Sequence, residues 1–151
     1  MNNEFPIFYT IPEKILKGKE EVNTLNSIGS SDIICFYFSA HWCPPCRNFT
    51  PILASNYSKW KNNGLNVEII FVSSDSDLKS FEEYYAEMPW LAINKKNNDE
   101  AIEYLNDVYQ ISGIPALIVL DNLGNVLDME GRNTVMKDGE KAVEKWYSNI
   151  K

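Results

Sequence analysis

One junction constrains this chain more than any other feature, and it lies between Ile33 and Trp60. A near-continuous apolar run, Ile33–Ser39, leads at once into Trp42-Cys43-Pro44-Pro45-Cys46. Phe49, Ile52, Leu53, Asn56, Tyr57 and Trp60 then follow at three-and-four spacing. The run predicts a strand buried on both faces, as at the centre of an α/β sheet. The spacing predicts a helix to about Trp60, kinked at Pro51 and stopped at Asn63-Gly64. A cysteine pair therefore sits where a central strand passes into the start of a helix. Two intervening residues put the cysteines one helical turn apart, so one disulfide can form and break with little backbone movement. The unpaired N–H groups and macrodipole of a helix start favour an anion, here the Cys43 thiolate. Cys46, one turn deeper, is then the resolving thiol. Pro44 and Pro45 pre-set φ for the first turn and have no N–H to leave unsatisfied. Arg47 either adds positive field to Cys43 or is an ordinary surface arginine.

A lone CxxC reads as a redox pair, as half of a zinc site, or as an inert surface pair. Structural zinc takes four ligands from Cys and His. Beyond the pair this chain offers Cys35, inside the apolar strand, and His41, which immediately precedes the motif. Neither has metal-ligand spacing, so the redox reading is taken and no metal is expected. No organic cofactor is expected either, since a reversible Cys43–Cys46 disulfide carries the electrons itself.

With 151 residues, the chain is long enough to bury a core as one domain without disulfide staples. A net charge of −7 argues against binding nucleic acid or an anionic membrane surface. No run approaches about 18 apolar residues, and the N-terminal stretch has no basic segment ahead of an apolar core, with Glu4 interrupting it. Three cysteines, two of them paired by spacing, suit a reducing compartment. A monomeric cytoplasmic protein, one domain over residues 1–151, is expected.

In residues 1–30, short apolar pieces broken by Pro6, Pro12 and Gly18 suit a small hairpin leading into the sheet. Cys35 is either a buried structural thiol or a regulatory third cysteine. Val67–Ser73 predicts a strand. Ser74-Asp75-Ser76-Asp77 predicts a capping box opening a helix with Leu78, Phe81, Tyr84, Tyr85 and Met88 on one face and Pro89 at its end. Asn98 or Asp99 should cap a helix with Ile102, Leu105 and Val108 inward. Ala116–Leu120 and Val126–Met129 read as strands around a turn at 121–125, and a last helix runs from about Lys137 to Ile150.

The segment from Tyr37 to Pro51, YFSAHWCPPCRNFTP, resembles the active-site region of the tryparedoxin/nucleoredoxin branch of the thioredoxin superfamily. Phe71-Val72-Ser73-Ser74-Asp75, then Tyr84-Tyr85-Ala86-Glu87-Met88-Pro89-Trp90-Leu91-Ala92, then Gly113-Ile114-Pro115-Ala116-Leu117 resemble it too. Membrane-tethered bacterial thiol reductases share WCPPC, so MPWLA at its distance from that motif is the discriminating piece. The likeness reaches from about Ile15 to Asp138. It implies a thioredoxin fold: α/β, a central mixed β-sheet flanked by helices on both faces, here with a short N-terminal hairpin extension.

The resemblance also implies a cis Ile114–Pro115 bond packed against the CxxC. The Ile114 backbone would pair with an extended thiol substrate, and Trp42 would form the other lip unless it is a core tryptophan. Trp42, Pro44, Pro45, Ile114 and Pro115 then make up the substrate face. Asp77 and Arg132 match an acidic residue and an arginine that tryparedoxins use around their low-molecular-weight dithiol donor. A helix-start acid and a surface arginine explain them equally well. The chain departs from tryparedoxins at Ser74, where they usually carry Trp, and its acidic run is thinner. Tyr37 stands where thioredoxins bury an aspartate, and a phenol is a poor base at neutral pH.

The reading that follows is a thiol–disulfide oxidoreductase. It would reduce disulfides in client proteins, peroxidases among them, with electrons from a low-molecular-weight thiol or a reductase. An alternative is a redox-switched binding adaptor with little turnover. A thiol reductase for cytochrome maturation is disfavoured because no anchor is read in the sequence.

Overall fold

The computed structural model describes residues 7–151. The readings made at Glu4 and Pro6 lie outside the described residues. A seven-stranded mixed sheet is formed by β1 (Lys14–Lys17), β2 (Glu20–Asn23), β3 (Ile33–Ser39), β4 (Val67–Ser73), β5 (Leu91–Ala92), β6 (Ala116–Asp121) and β7 (Val126–Asp128), in the order β2-β1-β5-β4-β3-β6-β7. β3 lies parallel to β4 and antiparallel to β6, and all seven of its residues are buried. Its alternation divides the core in two. Ile33, Cys35 and Tyr37 face α2 (Pro44–Asn62), α3 (Leu78–Tyr85), α5 (Gly131–Asp138) and α6 (Ala142–Ser148). Ile34, Phe36 and Phe38 face α1 (Thr24–Ile28), α4 (Asp99–Val108) and the 3₁₀ turn Ile7–Thr10.

The predicted hairpin is β1 paired with β2, and β1 reaches the sheet through β5. The β5 strand was not anticipated, because two residues carry no readable period. It is nonetheless the join between the hairpin and β4. Trp90, just before it, is fully buried, its ring at near right angles to those of Tyr37 and Tyr57.

Four local expectations are corrected. The cap of α3 is Asp77 alone, accepting the Ser80 N–H at 2.9 Å, because Ser74 and Asp75 are bonded elsewhere. Asn98 sits at the N-cap position of α4, but its side-chain amide donates to the Asn94 and Lys96 carbonyls and does not cap. Val108 and Ile52 are exposed; Tyr109 is buried at the end of α4, and Leu53 and Asn56 take the inner face of α2. The last helix is interrupted: α5 ends at Gly139, whose φ of +59° leaves the helical region, and a 3₁₀ turn, Gly139–Lys141, precedes α6. The unexpected start of α5 lies against β6. A Cβ on Gly131 would come within 2.6 Å of the Leu117 carbonyl oxygen.

Candidate active site

Parallel β3 and β4 end together at the paired residues Ser39 and Ser73. Reactive groups in such sheets gather beyond the carboxyl ends of the strands. From Ser39 the chain turns through Ala40, whose carbonyl accepts the Cys43 N–H at 3.2 Å, and enters α2. Cys43 is the N-cap of that helix, and its sulfur accepts the Cys46 N–H at 3.3 Å. The Cys43 thiol also faces the Ile114 carbonyl at 3.8 Å, on the loop whose Ile114–Pro115 peptide is cis. Cys46 lies one turn further in with no exposed surface, packed with Ala40, Cys43 and Ile114. Burial, and then the hydrogen bond with Cys43, pushes the Cys46 thiol up to about 11. Both sulfurs are free thiols.

The loop before the pair is held from the β4–α3 connection. Asp75 is buried, and its carboxylate accepts the His41 N–H at 2.9 Å and the Ser73 hydroxyl at 3.0 Å. The Ser74 N–H donates to the Ser39 carbonyl at 2.9 Å, and the Ser74 carbonyl accepts the Trp42 indole N–H at 3.3 Å. Trp42 is 63% exposed, so it is not a core residue. The His41 ring stacks on Tyr84, centroids 5.3 Å apart.

Beneath Cys46, four hydroxyls close a ring. Tyr37 and Thr50 are 2.7 Å apart, Thr50 and Tyr84 2.7 Å, Tyr84 and Ser39 2.7 Å, and the Ser39 hydroxyl donates to Tyr37 at 3.1 Å. Thr50 also donates to the Cys46 carbonyl at 3.0 Å. Burial pushes the Tyr37 phenol far above its usual range, and Tyr84 adds to the shift.

The structure thus brings Trp42, Cys43, Cys46, Ile114 and Pro115 together, with Pro44 and Pro45 exposed on the first turn of α2. Arg132 lines a groove of about 360 Å³ with Ile111, Ile114, Pro115 and Met129. Asp77 is absent from that lining and is occupied as the cap of α3. Four residues around the cysteines escaped the sequence reading: Ser39, Thr50, Asp75 and Tyr84. The available signal was a serine at the end of each of two apolar strands. Among the described residues, no group of three or more His, Cys, Asp or Glu is placed to hold a metal ion, and no helix is long and apolar enough to cross a membrane.

The family model described as Thioredoxin-like matches residues 30–126, more than half of the chain. This chain belongs to the thioredoxin-like family. Human nucleoredoxin is 42% identical to this thioredoxin-like chain over 149 residues, covering 95% of the chain and 34% of nucleoredoxin. The chain thus spans about a third of the length of that curated relative. Tryparedoxin of Trypanosoma brucei brucei is 34% identical over 133 residues, covering 87% of this chain and 90% of that protein. A solved structure of tryparedoxin II complexed with glutathionylspermidine matches with a TM-score of 0.81 at 35% identity, covering 89% of this chain and 92% of that one. The tryparedoxin/nucleoredoxin resemblance and the thioredoxin fold read from the sequence both hold, and the family's chemistry is that of thioredoxin-like oxidoreductases.

Proposed function

We propose that this protein is a dithiol–disulfide oxidoreductase that reduces disulfides in client proteins, peroxidases among them. The observation that carries the reading is the setting of Cys43. Its sulfur caps a helix, accepts the Cys46 N–H and faces the Ile114 carbonyl, with Cys46 directly behind. The Cys43 thiolate attacks one sulfur of a client disulfide; a mixed disulfide forms and one client thiolate leaves. Cys46 then attacks the Cys43 sulfur, the second client thiolate leaves, and the pair is oxidised by two electrons. A donor returns two electrons and two protons, so the cycle needs no metal or organic cofactor. Extended clients would lie between Trp42 and Ile114–Pro115, with Pro44 and Pro45 along the floor.

For the donor we favour a low-molecular-weight thiol over a reductase, by analogy with the glutathionylspermidine complex of tryparedoxin II. Arg132, in the groove beside Ile114, is the residue assigned to it; for Asp77 the assignment rests on resemblance. Three free thiols suit the cytosol, and one domain acting as a monomer suffices for the cycle.

A donor panel tests the proposal: glutathione, a trypanothione-type dithiol, and thioredoxin reductase with NADPH, each feeding reduction of a protein disulfide. At least one is expected to sustain turnover that Cys43→Ser removes. Clients that bind in a redox-dependent way, with no turnover from any donor, would establish the adaptor instead.

A further inference from the structure

Resolution by Cys46 poses a physical problem in this site. The step needs a thiolate, yet Cys46 has no exposed surface and its thiol is pushed up to about 11 by burial. The position from which thioredoxins present an aspartate holds Tyr37, whose phenol stays protonated. Asp75, the buried carboxylate of the next loop, is taken up by the His41 N–H and the Ser73 hydroxyl. The titratable groups facing Cys46 are Cys43 from its own turn, Tyr37 on β3 and Tyr84 on α3. His41 stacks against Tyr84, and Ile114 closes the remaining side without charge.

We propose that the Ser39 hydroxyl is the donor that stabilises the resolving Cys46 thiolate, turning to it from Tyr37 while the Tyr84 hydroxyl holds the Ser39 oxygen in place. The proposal rests on the dithiol reading above. Ser39 is fully buried at the end of β3, directly before the Ala40 turn, and its hydroxyl bonds Tyr37, whose own hydroxyl lies 3.4 Å from the Cys46 carbonyl. Its bond to Tyr37, 3.1 Å, is the longest of the four in the ring and the one most readily released. Tyr84, 2.7 Å away, can donate into the Ser39 oxygen and leave the serine proton free for sulfur. Tyr37 then keeps Thr50 as its partner. Thr50 and Tyr37 also reach the Cys46 carbonyl, at 3.0 and 3.4 Å, so the ring grips the residue it serves. The Ser39 hydroxyl and the Ala40 N–H already offset part of the upward push on the Cys46 thiol.

Hydroxyls of this kind rotate without changing charge. The proton leaving Cys46 goes to water or to the client thiolate released in the first half-step. The Cys46 sulfur bonds to Cys43, and the second client sulfur departs with its electron pair.

The two half-steps separate in a rapid-mixing experiment with limiting 5,5′-dithiobis(2-nitrobenzoate). Cys43 releases the first thionitrobenzoate in a second-order phase, and Cys46 releases the second in a first-order phase. For Ser39→Ala the second phase is expected to slow about tenfold at neutral pH, its pH midpoint rising by about one unit, the size of one charge-assisted hydrogen bond. The first phase should keep its rate, and Ser39→Thr, which keeps the hydroxyl, should restore the midpoint. An unchanged midpoint, or equal slowing of both phases, overturns the proposal. If Ser39→Ala does not fold, Tyr84→Phe is used: a rise in the midpoint is expected, and no rise overturns the proposal. Absence of any second phase in the unaltered protein would instead refute the dithiol reading itself.

Discussion

Tyr37→Phe removes one oxygen from the buried hydroxyl ring and leaves the aromatic packing in place. That oxygen bonds Thr50 at 2.7 Å, accepts from Ser39 at 3.1 Å, and lies 3.4 Å from the Cys46 carbonyl. Each side-chain partner keeps another. Ser39 and Thr50 both bond Tyr84 at 2.7 Å, and Thr50 also donates to the Cys46 carbonyl. No buried donor is stranded, so the stability cost is that of one ordinary hydrogen bond, about 1 kcal/mol. The ring itself stays packed against Phe49, Phe71 and Trp90. For catalysis the deciding quantity is the phenol's acidity. Burial, with Tyr84 adding, moves Tyr37 away from neutrality, so it cannot exchange a proton with Cys46 near pH 7. A positioned general base contributes about 10²–10⁴-fold, and Tyr37, lacking that role, should cost less than about tenfold in turnover when changed to Phe. Turnover of a protein disulfide across the pH range decides it, with near-ultraviolet circular dichroism as the check on packing. A fall of about a hundredfold or more with the fold intact would make Tyr37 catalytic and refute the reasoning.

Three further outcomes are expected. Cys43→Ser abolishes disulfide reduction, whereas Cys46→Ser accumulates clients as mixed disulfides; equal alkylation of Cys43 and Cys46 in mildly acidic buffer would contradict that order of roles. Cys35, fully buried and held as a thiol mainly by burial and then by the Glu68 and Asp128 carboxylates, stays reduced and labels slowly until denatured; rapid labelling of the native protein would contradict this. Alkali destabilises the fold. Cys46 is raised from 9.0 to about 11, and Tyr85, Tyr109 and Tyr147 from 10.0 to about 12, so the unfolded chain loses these protons first. Their contribution is full below about pH 9 and declines as pH rises toward 12. Denaturant midpoints measured from neutral to alkaline pH should fall over that window, and a flat profile would rule it out.

The strands Ile33–Ser39 and Val67–Ser73 were legible to the residue, because buried parallel strands are continuous apolar runs with polar ends. The CxxC at the head of a helix was legible for a similar reason: spacing, prolines and an amphipathic stripe are local properties. The two-residue β5 was not, since its existence depends on β1 and β4 lying on either side of it. The break at Gly139 was readable in principle, yet Trp146 and Val143 continue an apolar pattern that hides it. Asp75 shows the same limit from another side. It reads as a capping residue by its neighbours, but the His41 N–H, 34 residues earlier, claims its carboxylate.

By itself, the sequence determined which two cysteines stand one turn apart at the head of a helix, what order of strand and helix presents them, and which family the chain resembles. All three follow from the nature and spacing of residues near one another in the chain. The tertiary structure alone decided what surrounds those sulfurs. Ile114 meets Cys43 from 71 residues away, and Ser39 meets Tyr84 from 45 residues away. Such meetings depend on sheet order and on which side chains share a face, and no local pattern records them. The difference matters most at Cys46, where the hydroxyls ringed beside it come from β3, α2 and α3 at once.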